Sequence, residues 1–164
     1  MSKTEDGLKE AFAGESQANR KYLAFAKKAE EEGYKQVAKL FRAAAEAETV
    51  HAHNHLRDLK GIKSTKENLE SAISGESYEF LTMYPAMIAD AQAEGNKSAE
   101  RSFHIANEVE KVHHNLYKKA LEELGKNKET DYYICKVCGY TAEDEAPDIC
   151  PVCGAKKVAF YKVD

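Results

Sequence analysis

The chain has 164 residues with 24 Lys and Arg against 28 Asp and Glu, and its formal net charge is −4. The charges are mixed along the sequence rather than blocked, which leaves no basic patch and makes nucleic-acid binding unexpected. No apolar run approaches the roughly 20 residues that cross a bilayer, and Ser2-Lys3-Thr4-Glu5-Asp6 has no signal-peptide core, so a cytoplasmic protein with no membrane association is expected.

Residues 4–32 are rich in Ala, Glu, Lys and Gln, with Leu8, Phe12, Glu15, Asn19, Tyr22 and Ala26 three or four apart; this predicts one long helix ended by Gly33. A second helix is expected over 34–60, with Val37, Leu40, Phe41, Ala44, Glu48, His51, His55 and Leu59 on or near one face and Gly61 as its stop signal. Ser64 with Glu67 resembles a capping box, so a helical turn or two is expected inside a longer connection over 62–74. A third long helix is expected over 75–94, made irregular by Pro85, which removes one backbone hydrogen bond. The fourth runs over 97–124 and closes at Gly125. Tight breaks at Gly33 and Gly95 make each flanking pair antiparallel, while the longer middle link implies a crossover. Helices rising about 40 Å at 1.5 Å per residue suit a bundle. Lys126 to Asp131 is a charged linker, after which helical periodicity disappears. The expected domains are therefore residues 1–128, helical, and 129–164, small and metal-stapled.

The two halves of the helical part repeat. Glu15 is followed 33 residues later by Glu48 and then His51, and Glu76 is followed 34 residues later by Glu110 and then His113. Each lone glutamate stands in a Gly-Glu-Ser triplet, and an offset of 62 also pairs Glu32-Gly33 with Glu94-Gly95, Phe41 with Phe103 and Val50 with Val112. The offset is 61 at Glu76 and 62 by Glu94, so one residue has been inserted between them, and a π-type bulge is the economical explanation.

Residues three apart on a helix share a face, so each Glu-x-x-His step aims a carboxylate and an imidazole at one spot. A single such step is a weak sign, because surface helices carry them as solvated ion pairs. Two in register, each with its own lone glutamate, make a ligand set for iron or manganese. Glu79 has no counterpart in the first half, where Ala18 holds its place. His53 and His55 diverge from His51 around the helix, and Glu46, Glu108, His104 and His114 are read as solvent-facing or helix-pairing groups.

All four cysteines lie in two C-x-x-C turns, Cys135/Cys138 and Cys150/Cys153, each followed by glycine. That spacing calls for four-thiolate coordination in a reducing compartment. Spacing alone does not separate a structural zinc from an iron centre, since four thiolates satisfy both.

Together these residues resemble the rubrerythrin family of the ferritin-like superfamily. The resemblance rests on Gly14-Glu15-Ser16, Glu48-Thr49-Val50-His51, Glu76-Ser77-Tyr78-Glu79 and Met83-Tyr84-Pro85, with a rubredoxin-like Cys-x-x-Cys-Gly-Tyr and Cys-Pro-x-Cys-Gly tail in which Tyr133 and Phe160 are expected core aromatics. It implies a mainly α chain, a ferritin-like four-helix bundle with a small C-terminal rubredoxin-like domain. It also implies a di-iron centre in which Glu48 and Glu110 bridge, Glu15, Glu76 and His113 are terminal ligands, and Glu79 exchanges with His51 on reduction. Tyr22 and Tyr84 would orient carboxylates. The cysteines would hold a mononuclear iron, with zinc possible in its place. The implied activity is reduction of hydrogen peroxide to water, with electrons arriving singly through the cysteine centre from a separate donor, a rubredoxin or a flavoprotein reductase, that draws on reduced nicotinamide. No glycine-rich nucleotide fingerprint occurs, so the nicotinamide itself is not expected to bind. A linker of about six residues reaches about 20 Å at most, which predicts a homodimer or higher homo-oligomer with the cysteine domain beside the partner's di-iron site. The competing classes are an iron-oxidising storage protein, a plain electron carrier and a zinc-stabilised interaction module.

Overall fold

The computed structural model describes residues 2–164, which fall into two compact units that meet in sequence at Lys63/Ser64. The first is a hairpin of α1 (Lys3–Glu31) and α2 (Lys35–Asp58). Ser2 caps α1 by accepting the Glu5 N–H at 3.2 Å. At the other end Gly33, at φ 85°, closes the helix: Tyr34 N–H reaches Ala29 O at 2.8 Å and Gly33 N–H reaches Glu30 O at 3.0 Å.

Ala38, Ala45 and Ala52 recur every seven residues along α2 and are buried, facing α1 with its buried Asn19, Ala26 and Ala29. Side chains this small let two backbones come close, and Asn19 uses the proximity to donate to Ala45 O at 2.7 Å and Thr49 Oγ1 at 2.8 Å. Val37 and Leu40, expected on the inward face, remain 45% and 66% exposed. The alanine seam, with Phe41 set against Tyr22 and Phe25, makes the contact between these two helices, and Val37 and Leu40 lie outside it.

The second unit repeats the hairpin and adds the small domain. Its first arm is α3 (Thr65–Tyr78), a π-helical segment (Glu79–Met83) and α4 (Tyr84–Ala93); its second arm is α5 (Lys97–Glu122). The connection repeats too: Gly95 stands at φ 69°, Asn96 N–H reaches Ala91 O at 2.8 Å, and Gly95 N–H reaches Gln92 O at 3.1 Å. Asn96 then caps α5 by accepting from Ala99 N–H at 3.1 Å.

Two expectations about the middle of the chain are corrected. The helix begins at Thr65, ten residues before the expected start, because the Ser64/Glu67 capping box initiates it and no proline or glycine interrupts before Gly75, which the helix absorbs. The connection from α2 is therefore short. The residue that ends α2 in the left-handed conformation is Lys60, at φ 54°, not Gly61; Lys60 N–H reaches Arg57 O and Gly61 N–H reaches Leu56 O. Gly61 matters through space instead, because a Cβ there would run into the Leu56 side chain.

The inserted residue is visible as the π-helical segment. Glu15 to Gly33 spans 18 residues and Glu76 to Gly95 spans 19, and the wide turn at 79–83 takes up the difference. Pro85 follows it directly as an early residue of α4, where its missing N–H is tolerated. The mirrored aromatic pairs keep their register across the two hairpins: Tyr22 and Phe41 centroids are 6.1 Å apart at 34°, Tyr84 and Phe103 6.3 Å apart at 39°.

The small domain is a three-stranded antiparallel sheet in the order β2-β1-β3, from β1 (Tyr132–Cys135), β2 (Thr141–Glu143) and β3 (Phe160–Lys162). Its buried core is only Cys135, Ala142, Ala146 and Cys150, with half-buried Phe160 set edge-on to Tyr140 at 6.4 Å. The segment before it is tied down: Asn127 Nδ2 donates to Ala120 O at 3.0 Å and Thr130 Oγ1 donates to Asp144 Oδ1 at 2.8 Å. No described helix is long and apolar enough to cross a membrane.

Candidate metal centres

Each hairpin gathers one carboxylate–histidine triad. In the first, α1 supplies Glu15 and α2 supplies Glu48 and His51; His51 Nδ1 lies 2.9 Å from Glu48 Oε2 and 3.9 Å from Glu15 Oε1. In the second, α3 supplies Glu76 and α5 supplies Glu110 and His113; His113 Nδ1 lies 2.8 Å from Glu110 Oε2 and 4.0 Å from Glu76 Oε1. Within each triad one donor atom per residue falls inside a 4.8 Å cluster, a spacing that one cation can draw together.

The electrostatics of the second triad ask for a cation. Glu76 is pushed up to about 7, first by burial and then by the Glu110 charge, with His113 opposing. Glu110 is also raised, by burial and by Glu79. Tyr84 moves up for the same reasons, burial first and then the charges of Glu110, Glu79 and Glu76. Its phenol thus stays protonated beside the carboxylates, as an orienting donor should. Glu79 opens the π segment, half-buried and outside the triad's donor cluster, but its charge is felt at Glu76, Glu110 and Tyr84. Tyr22 sits among aromatic rings, 6.4 Å from Phe25 and 6.1 Å from Phe41.

His114 and Glu108 have partners of their own outside the triads. His114 pairs α5 with α3 through Ser77 Oγ at 2.9 Å and a T-shaped contact to Phe80. Glu108 is held by Lys111 on its own helix.

All four cysteines are free and cluster as a third donor set, with Cys135 and Cys153 sulfurs 3.7 Å apart and Cys138 and Cys150 sulfurs 3.5 Å apart. Gly139, at φ 83°, and Gly154, at φ 75°, turn the two knuckles. Burial works against ionising Cys135, but the Val137 and Cys138 amides donate to its sulfur and lower it overall. Burial pushes the Cys138 and Cys153 thiols up. With Cys135 lowered and Cys138 and Cys153 raised, a bound cation would bring these three thiols to the charged form together.

The chain's own cysteine domain lies against its own second triad. Gly139 meets Val109 of α5, Thr141 Oγ1 is 3.0 Å from His113 Nε2, and Lys119 Nζ is 2.8 Å from Glu143 Oε2. The reach of the linker does not decide this, because the helix carrying His113 leads directly into the small domain. Thr141 was not singled out from the sequence, and a threonine in a short strand carries no local signal of that contact.

Comparison with known proteins agrees with these donor sets. The family model described as "Rubrerythrin" matches residues 6–121, and "Rubrerythrin, rubredoxin-like domain" matches residues 133–161. Rubrerythrin-2 of Clostridium acetobutylicum is 38% identical over 174 residues, covering 96% of this chain and 95% of that protein. Nigerythrin of Nitratidesulfovibrio vulgaris is 36% identical, covering 98% and 86%. A solved structure titled "Fully reduced state of nigerythrin (all ferrous)" superposes with a TM-score of 0.60 at 36% identity, over 99% of this chain and 88% of that one. Two carboxylate–histidine triads on repeated helical hairpins and a four-thiolate knuckle domain are donor sets consistent with iron, and the chain that carries them belongs to the rubrerythrin family, with its ferritin-like fold and rubredoxin-like tail.

Proposed function

We propose that this rubrerythrin reduces hydrogen peroxide to two waters at a di-iron site held by Glu15, Glu48, His51, Glu76, Glu79, Glu110 and His113, with electrons arriving one at a time through iron on Cys135, Cys138, Cys150 and Cys153. The observation that carries the reading is that a carboxylate–histidine triad and a four-thiolate knuckle occur side by side in one unit, joined at His113 and Thr141. The likeness to nigerythrin solved in an all-ferrous state supports iron in both kinds of site. A pair of irons supplies two electrons, the number that cleaves an O–O bond into two waters when two protons are added.

The protein's own part is placement of charge and protons. Glu76 and Glu110 sit where burial and mutual repulsion favour a shared proton, so a proton can be held at the triad near neutral pH. Tyr84 stays protonated beside these carboxylates, available as a donor without itself becoming an anion. Glu79 and His51 are the alternative ligands on one side; the π segment that presents Glu79 has no equivalent in α1. Location in a reducing compartment, which keeps the four thiols free, a homo-oligomer of at least two chains, and a rubredoxin or flavoprotein donor belong to the same proposal.

The test is stopped-flow mixing of anaerobically reduced, iron-loaded protein with hydrogen peroxide. The expected result is rapid return of the ferric-thiolate colour, with two electrons consumed per peroxide and no more than three irons per chain. Slow or absent oxidation by peroxide would point to a plain electron carrier or a zinc-stabilised module. Progressive accumulation of iron beyond three per chain would point to a store.

A further inference from the structure

The first hairpin holds an opening that the second hairpin fills. In the second, His114 of α5 reaches across to α3, with Nδ1 2.9 Å from Ser77 Oγ and 3.4 Å from Ile73 O, and its ring stands edge-on to Phe80 at 5.4 Å. The offset of 62 that pairs His51 with His113 sets Ala52 in the place of His114, and the offset of 61 that pairs Glu15 with Glu76 sets Asn19 in the place of Phe80. Two rings thus give way to a methyl group and an amide, both of them buried. Ser16, the counterpart of Ser77, has no imidazole to meet and donates back to Phe12 O of its own helix at 2.7 Å. What remains is a cleft of about 300 Å³ between α1 and α2, and none of Glu15, Glu48 and His51 lines it.

The lining specifies what the cleft takes. Phe12, Ala52 and Leu56 give it apolar walls, and its volume is at the small end for ligand pockets, enough for one ring-sized molecule. Arg20 and His53 line it from exposed positions, at its mouth. Asn19 holds the first of these in place. Its Nδ2 is committed to Ala45 O and Thr49 Oγ1, so the amide does not turn, and its Oδ1 accepts from Arg20 Nε at 2.9 Å. The terminal nitrogens of the guanidinium are left without a carboxylate among the described residues. A planar fork of charged donors, fixed beside an apolar cleft of ring size, matches a carboxylate attached to a flat ring.

We propose that the cleft between α1 and α2 binds a small aromatic carboxylate, with its ring in the space that His114 and Phe80 occupy in the second hairpin and its carboxylate on the Arg20 guanidinium. Ser16 and Thr49 follow Glu15 and Glu48 directly in sequence, so the cleft and the first triad are built on different faces of the same helical turns. The inference stands apart from the proposed peroxide chemistry and from the metal that the triads hold.

The test titrates benzoate into the full, metal-loaded chain, followed by calorimetry and by ligand-observed saturation transfer. Binding is expected with a dissociation constant on the order of 1 mM or tighter. Benzyl alcohol, which lacks the charge, and acetate, which lacks the ring, should each bind at least about tenfold more weakly. Arg20→Gln, at an exposed position, should weaken benzoate by about tenfold or more through loss of one charge-assisted pair. Ala52→His restores the ring of the second hairpin and should abolish binding by filling the space, with helix content checked by circular dichroism. A crystal structure of wild type with benzoate locates the ring without recourse to any variant, and it should lie between Phe12 and Leu56. No binding at about ten times the expected dissociation constant overturns the proposal. So does undiminished binding in Arg20→Gln, the result expected if benzoate ligates the triad metals instead. A cleft closed by a side chain from a second copy of the chain also overturns it, and assigns the groove to contact between copies.

Discussion

Glu76 and Glu110 face one another across the seam between α3 and α5, and burial together with the Glu110 charge pushes Glu76 up to about 7. A carboxyl raised from 4.5 to about 7 in the folded chain binds its proton more tightly there than in the unfolded one. Its contribution to stability is therefore complete below about pH 4.5 and is lost as the pH rises toward 7. The Glu76 side chain is only 18% exposed, so the loss should be on the order of 1–3 kcal/mol. Chemical denaturation of metal-free protein at pH 5 and pH 7.5 measures it, and Glu76→Gln should flatten the dependence. Uptake of a divalent metal at pH 6 should also release a proton that Glu76→Gln does not release, detectable by calorimetry in buffers of different ionisation enthalpy.

Peroxide turnover should depend on Glu79 and His51 together. Substituting either with alanine is expected to lower steady-state turnover by about tenfold or more, the scale on which ligand-sphere changes act, with helix content unchanged because both side chains lie at least partly open to solvent. Wild-type turnover in both variants would show that the proposed exchange of ligands does not take place.

The junction between α2 and α3 offers a stability test independent of metal. Lys60 holds a left-handed conformation, φ 54°, that costs a residue bearing a Cβ about 1–2 kcal/mol. Lys60→Gly should recover about 1 kcal/mol, while Ser64→Ala should lose about 1 kcal/mol with the capping box. Amide exchange over residues 56–68 reads both effects locally. Equal protection in all three proteins would show that neither the turn nor the cap sets the stability of this junction.

Cys150→Ser should abolish the ferric-thiolate colour and unfold the small domain while sparing the helices. Its buried core of Cys135, Ala142, Ala146 and Cys150 is too slight to stand without the metal. The measurement is amide exchange in β1, β2 and β3, expected to lose protection when α5 does not. A variant sheet as protected as the wild type would mean that the domain folds without its fourth thiolate.

The donor sets were legible in the sequence because their geometry is local. Glu48 with His51, and Glu110 with His113, converge because residues three apart share a helical face, and each C-x-x-C with its glycine specifies a knuckle. The residue count between the repeated landmarks alone exposes the π-helical insertion, since an extra residue between Glu76 and Gly95 has to go somewhere. The start of α3 was misplaced because the Gly-Glu-Ser triplet at Gly75 looks like a beginning, whereas the Ser64 cap lies upstream with nothing after it to break the helix. Leu40 has the apolar size of a seam residue but lies outside the seam, where Ala38, Ala45 and Ala52 fit the close approach of the backbones.

By itself the sequence determined which atoms are offered to metal, how many helices carry them and that the chain repeats, because each depends on spacings of a few residues or on comparison of one half with the other. Only the tertiary structure decided that Thr141 closes on His113 from 28 positions away and that the cysteine domain rests on its own chain's triad. Such contacts arise where separately folded surfaces meet, and no local periodicity records which side chain a strand will turn toward a helix.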